Sequence, residues 1–179
     1  MKERPIVANL MIMTADELKA LDSLERQAAR RAAREQPLVR LILRTFLQRG
    51  GPISIKDIVA SSPDGRAQAV HDALTALDDE DVIRIRAGQV DIAYPFSAAP
   101  TPFRVRLSAG RERYVCCATD ALGIAAMIGE PVHITSSCHH CGGSLKFAAT
   151  PHGTGLDAEG VMVWFGKRGD EGCKAFESL

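Results

Sequence analysis

At 179 residues, with 46% apolar and 25% charged side chains, the chain can bury one well-cored domain or two small ones. A net charge of zero argues against a dedicated nucleic-acid binder, whose affinity comes largely from phosphate neutralisation, and 5% aromatics argue against a base-stacking platform. No run of eighteen apolar residues exists, so no membrane-spanning helix is expected.

The short apolar run Ile6 to Met13 is broken by Asn9 and leads into Asp16 and Glu17. It reads as a loop or first strand rather than a signal peptide, which points to the cytoplasm. Cysteines there are usually reduced thiols, catalytic groups or ligands. Five cysteines, an odd number, do not suit a closed disulfide framework.

Thr14-Ala-Asp-Glu17 is a capping-box pattern that opens a helix through about Gln36. Arg26, Arg30, Arg31 and Arg34 on it are either a phosphate-binding face or, more simply, a solvated surface. After Pro37, apolar residues at helical spacing (Leu38, Leu41, Ile42, Phe46) predict a second helix, closed by Gly50-Gly51-Pro52. Ile53 to Val59 predicts a short segment and helix. Arg66 to Asp79 predicts another helix with Val70, Ala73, Leu74 and Leu77 inward and His71 as a satisfied structural histidine. Val82 to Arg86 and Val90 to Tyr94 alternate as paired strands around a turn. The order is that of a winged helix-turn-helix. The would-be recognition helix and its end nevertheless carry Asp72, Asp78, Asp79, Glu80 and Asp81 against Arg66, which phosphates would repel. A packing or dimerisation module fits better than DNA binding.

Residues 95–102 form a proline-rich linker. Beyond it, strands are expected at Phe103 to Leu107, Arg113 to Cys116, Val132 to Ser136, Ser144 to Ala149 and Val161 to Phe165, with a helix at Cys117 to Met127. The fold class is therefore α+β: an N-terminal winged-helix-like helical region, then a mixed or antiparallel β-sheet domain with a short helix. The expected parts are an extension and helix (1–36), a winged-helix-like domain (37–94), the linker (95–102) and a Cys-rich α+β domain (103–179).

Two constellations could carry chemistry. In Cys116-Cys117-Ala-Thr-Asp120, a helix starting near Cys117 places its thiol at the positive end of the helix, which favours thiolate. Asp120, one turn on, reaches the same ligand, giving a nucleophile beside a proton carrier. The bland alternative is a small buried cysteine and a capping acid. In Cys138-His-His-Cys141-Gly-Gly, the turn lets two sulfurs reach one metal, as in a zinc knuckle. A closed zinc site needs two more donors, and His133, His139, His140, His152 and Cys173 are the candidates. The bland alternative is a surface hairpin with two incidental thiols. Cys173, between Gly172 and Lys174, is unremarkable by itself.

Several blocks taken together resemble the alkylmercury (organomercurial) lyases, in order over roughly residues 37 to 173. They are Val39-Arg40, Ala93-Tyr-Pro-Phe-Ser-Ala98, Tyr114-x-x-Cys117-Ala-x-Asp120-Ala-Leu-Gly-Ile124, Met127-x-Gly129, Ser137-Cys-x-x-Cys-Gly142 and Val163-Trp164. The resemblance implies protonolytic cleavage of a carbon–mercury bond without an organic cofactor. It implies Cys117 as the mercury-binding thiolate, Asp120 as the proton relay, and a later cysteine as second thiolate. Cys173, the only cysteine after Trp164, takes that place. Mercury would be held by Cys117 and Cys173 as substrate and product, and zinc or another soft metal by Cys138 and Cys141. The expected partner is a small organomercurial or soft-metal ligand, not nucleic acid or membrane. Oligomeric state stays open, a homodimer included. Two non-enzymatic alternatives remain: a zinc or soft-metal-binding protein with a winged-helix module, and a metal-responsive regulator.

Overall fold

The computed structural model describes residues 32–33, 36–61 and 67–163. The predicted helix from Thr14, its arginines, the turn at 62–65, Trp164 and Cys173 lie outside the described residues. The described fold is α+β, with four α-helices and one antiparallel sheet.

The first helix, α1 (Pro37–Arg49), starts on a proline, whose fixed φ suits the first turn, and buries Val39, Ile42 and Phe46 at the predicted spacing. Gly50 then turns the chain at φ 81°. Gly51 follows against the Phe46 ring: a Cβ there would come within 2.4 Å of Phe46 Cε1. Strand β1 (Ile53–Ser54) leads into α2 (Ile55–Ser61), and α3 (Ala67–Asp79) buries Val70, Leu74 and Leu77. His71 lies on the exposed face of α3, not among the core side chains, because it is one position past Val70 and so a hundred degrees around the helix.

Strands β2 (Ile83–Arg86) and β3 (Gln89–Ala93) form the predicted hairpin, with a register shift between Arg84 and Ile85. At that shift the Ile85 N–H donates to Asp78 Oδ1 at 3.0 Å, so an acidic residue ending α3 ties the helix to the hairpin. Arg84 is bound by both carboxylate oxygens of Asp91 at 2.7 Å.

The proline-rich stretch contains a strand. Pro95, Phe96 and Ser97 are buried, and β4 (Phe96–Ser97) pairs with β3 on one side and β6 (Glu112–Val115) on the other. The hairpin and the later strands are thereby one sheet. Phe96 stacks on Phe46 with ring centroids 6.1 Å apart and planes 10° from parallel. Arg113 on β6 donates from Nε to Phe46 O (2.7 Å), which also accepts the Gly50 N–H, and from Nη2 to Leu47 O (2.9 Å), engaging the carbonyls that end α1.

The remaining strands are β5 (Phe103–Arg106), β7 (Val132–Ser137), β8 (Ser144–Thr150) and β9 (Gly153–Thr154), giving the order β1-β3-β4-β6-β5-β7-β8-β9 with β2 on β3. Helix α4 (Ala118–Ile128) lies across β5 to β8 and buries Ala121, Ile124 and Ala125. Two alanines on that face allow close approach to the sheet. Gly129, left-handed at φ 73°, ends the helix. The expected strand at Val161 is not formed in its described part: 161–163 carry no strand pairing. A 3-10 turn at Leu156–Ala158 precedes them, where Asp157 Oδ2 accepts from the Ala148 N–H at 2.7 Å. No helix among the described residues is long and apolar enough to cross a membrane.

Candidate active site

Strand β6 ends at Val115, and the two cysteines that follow face different surroundings. Cys116 is buried with Ile92 and Tyr94, its sulfur 3.6 Å from Phe96 O. It packs. Cys117 is extended (φ −150°, ψ 179°) and is the N-cap of α4. Its sulfur accepts the Asp120 backbone N–H at 3.5 Å, one of the amides a helix start leaves open. Asp120 reaches back, as the third residue of a capping box does, and its Oδ2 accepts the thiol proton at 3.1 Å. The Thr119 hydroxyl lies 2.8 Å from the same sulfur. A half-buried thiol, a carboxylate and a hydroxyl thus meet within a single helical turn. Sequence spacing pairs Cys117 with Asp120, whereas Thr119 carries no signal beyond its place between them.

The electrostatic balance differs from the expectation of a lowered thiol. Burial pushes Cys117 above its ordinary value, and the Asp120 charge pushes it further. Hydrogen bonds from Thr119 and the Asp120 amide oppose this, and the thiol's own bond to the Asp120 carboxylate raises it again. Two donors at a helix N-terminus do not outweigh desolvation plus a carboxylate at contact distance. The resting pair is therefore a thiol donating to a carboxylate, with the proton on sulfur.

Cys138 and Cys141 sit apart, on the turn between β7 and β8. The turn is closed by Cys138 N–H to Gly143 O and Gly142 N–H to Cys138 O, both 2.8 Å, with Gly142 at φ 70°. The Cys138 thiol is held below its ordinary pKa, by the backbone amides of Cys141 and His140 first and by the Cys141 side chain after them. Cys141, His139 and His140 are exposed. Among the described residues no three His, Cys, Asp or Glu side chains gather as a metal site. His133 and His152, once candidates to complete a zinc site, are not brought to this turn.

Both cysteine segments follow interior strands that end on the same side of the sheet. Arg104 is the register partner of Tyr114 on β6 and of Thr135 on β7. Cys117 lies three residues beyond Tyr114 and Cys138 three beyond Thr135, on strands that run parallel. Tyr114 and Thr135, with Arg104 between them, are two strand spacings apart, about 10 Å.

A protein with a thiol–carboxylate pair at a helix start, on an antiparallel α+β sheet, is equipped for thiophilic proton-transfer chemistry. Residues 96–179 match the family model for alkylmercury lyase (MerB), and with the relatives below this supports the alkylmercury lyase family for that portion of the chain. It is 31% identical over 108 residues to an alkylmercury lyase of Staphylococcus epidermidis, covering 59% of this chain and 47% of that one. It is 29% identical over 120 residues to an alkylmercury lyase of Streptomyces lividans, covering 67% and 54%. The chain therefore spans about half the length of these curated relatives. In fold it is similar to a crystal structure described as the mercury-bound form of MerB2, with a TM-score of 0.55 and 20% identity over 69% of this chain and 61% of that one.

Proposed function

We propose that this chain is an organomercurial lyase that cleaves carbon–mercury bonds by protonolysis. The observation that carries the reading is the Cys117 Sγ to Asp120 Oδ2 contact of 3.1 Å, made within a family match that includes both residues. Mercury is soft and thiolate is the soft protein ligand. As Cys117 sulfur bonds to the mercury of R–Hg–X, its proton passes to the Asp120 carboxylate and X departs. Asp120 then returns the proton to the carbon, which keeps the electron pair of the breaking C–Hg bond. The products are R–H and Hg(II) bound to sulfur, with no change in oxidation state. Thr119 steadies the sulfur as negative charge develops. Cys173 supplies the second thiolate for Hg(II), and external thiols remove the ion.

The remaining parts of the reading follow from composition and placement. Residues 37–94 form a winged-helix-like module that packs against the lyase-like part (103–179) through the 95–102 segment, with residues 1–36 as an extension. Arg84, one of two arginines on the wing strand with Arg86, is engaged by Asp91, and the end of α3 is acidic, which supports packing or homodimerisation over DNA binding. Free thiols at all four described cysteines suit a reducing compartment such as the cytoplasm. Zinc at Cys138 and Cys141 would need donors from outside the described residues.

The test is phenylmercury with excess monothiol, followed by gas chromatography of released benzene. Wild type releases benzene, and Cys117→Ser and Cys173→Ser each lose it. No release by wild type, under conditions in which an established lyase turns over, removes the enzyme reading.

A further inference from the structure

The C=O of Val115 and the N–H of Cys116 belong to one peptide plane, and both of its polar groups are held. The Thr101 hydroxyl donates to Val115 O at 2.6 Å, and the Cys116 N–H donates to Pro95 O at 2.9 Å. We propose that Thr101 is a positioning residue for the Cys117–Asp120 pair, its hydroxyl fixing the peptide from which the thiol is aimed at the carboxylate.

The bond falls where the sheet stops guiding the chain. Val115 is the last register position of β6 on both sides, opposite Phe96 on β4 and Phe103 on β5. Beyond it, neither ladder directs the two cysteines. The Thr101 oxygen also accepts the Phe103 N–H at 3.2 Å, which anchors it to the start of β5. Phe103 O lies 3.0 Å away, but one hydroxyl proton serves one carbonyl at a time, and the Val115 contact is the shorter.

On the other side of Cys117 the chain is held again. Cys116 is buried, and Cys117 O accepts the Ala121 N–H at 3.0 Å in the first turn of α4. Cys117 thus stands between a pinned peptide and a helix, and the backbone between them sets the 3.1 Å reach from its sulfur to Asp120 Oδ2. Loss of the Thr101 hydroxyl releases the upstream point alone, while Asp120 stays on its helix. Proton transfer needs the two groups at hydrogen-bond distance, and a misplacement of about 1 Å can cost about 10²-fold in rate. The catalytic use of this placement rests on the lyase reading; the placement itself does not.

The test uses the full chain with Thr101→Ala, with Thr101→Val as a second removal of the hydroxyl and Thr101→Ser as its restoration, each checked for a folded circular dichroism spectrum. Iodoacetamide alkylation of the Cys117 peptide near neutral pH reads the pair without turnover. Removing the hydroxyl loosens the thiol from the Asp120 carboxylate and speeds alkylation about twofold or more, the lower end of coupling through a shared backbone shift. Thr101→Ser is alkylated at the wild-type rate. In an Asp120→Asn background, Thr101→Ala brings no further acceleration, because the partner from which the thiol is released is already gone. A hydroxyl that only supports the strands would lower stability in urea and leave the Cys117 rate unchanged, or change it by the same factor in both backgrounds; either result overturns the proposal. Single-turnover benzene release from phenylmercury falls by about 10²-fold in Thr101→Ala and returns in Thr101→Ser. Undiminished release in Thr101→Ala, beside a wild type that turns over, also overturns it. A wild type that releases no benzene while the alkylation rates run as expected sinks the lyase reading and leaves Thr101 in its positioning role.

Discussion

Asp120→Asn separates the two roles assigned to this carboxylate. Asparagine has nearly the same shape, and the backbone N–H to the Cys117 sulfur is untouched, so the helix start survives. What disappears is a negative charge and a proton acceptor 3.1 Å from sulfur. Both hold the thiol up, so the Cys117 pKa falls in the variant. The variant thiol is therefore alkylated faster than wild type near neutral pH. Its carbon–mercury cleavage moves the other way. A positioned acid contributes about 10²–10⁴-fold to rate, so benzene release falls by that factor. At 1.36 kcal/mol per tenfold, this is about 2.7–5.4 kcal/mol of lost transition-state stabilisation. The assays are iodoacetamide rate against pH for the Cys117 peptide and single-turnover benzene release. A variant that is more readily alkylated and still turns over like wild type would refute a proton relay through Asp120. So would a thiol that becomes harder to alkylate.

Further outcomes follow from the same geometry. Because the folded Cys117 thiol holds its proton more tightly than the ordinary value of 9.0, its contribution to stability is full below about that pH and is lost as pH rises through the higher folded value. Urea unfolding across that range should therefore show a steeper alkaline loss in wild type than in Cys117→Ser, and parallel curves would contradict the raised thiol. Thr119→Val removes a hydroxyl 2.8 Å from the sulfur and should raise the alkylation midpoint of Cys117, whereas an unchanged midpoint would show that the contact does not stabilise thiolate. Arg113→Ala leaves the Phe46 and Leu47 carbonyls without their charged donor and should cost about 1.5–3 kcal/mol in urea unfolding. Gly51→Ala pushes a methyl into the Phe46 ring, which is stacked on Phe96 and cannot move freely, and should cost about 1–3 kcal/mol. Wild-type stability in either variant would mean that α1 is not held to the sheet as described.

The parts legible in the sequence are those set by short-range pattern. Val39, Ile42 and Phe46 mark one helix face, and Val70, Leu74 and Leu77 another, because burial repeats with the helical turn. Cys117 and Asp120 were readable as a pair since a spacing of three at a helix start brings side chains together. The unread parts depend on long-range pairing. Phe96–Ser97 looks like linker because prolines surround it, and only its partners on β3 and β6 make it a strand. Arg113 gives no local sign that it will close α1, 66 and 67 residues earlier. The direction of the Cys117 shift was misread for the same reason. The helix end is visible in sequence, but the burial of the thiol and the charge of Asp120 at 3.1 Å outweigh it, and burial is set by the folded chain. His71 was misplaced by composition: its alanine and leucine neighbours point inward, and it does not.

The claim on which the functional account turns is that a proton reaches the carbon of a carbon–mercury bond through Cys117 and Asp120. It is tested most directly by running the phenylmercury reaction in fully exchanged D2O with excess deuterated thiol and analysing the benzene by mass spectrometry. Wild-type protein should yield benzene carrying one deuterium, at the carbon that bore mercury, and Cys117→Ser should yield none above the protein-free control. Wild-type protein that forms no benzene beyond that control, or forms benzene without deuterium, would contradict the account.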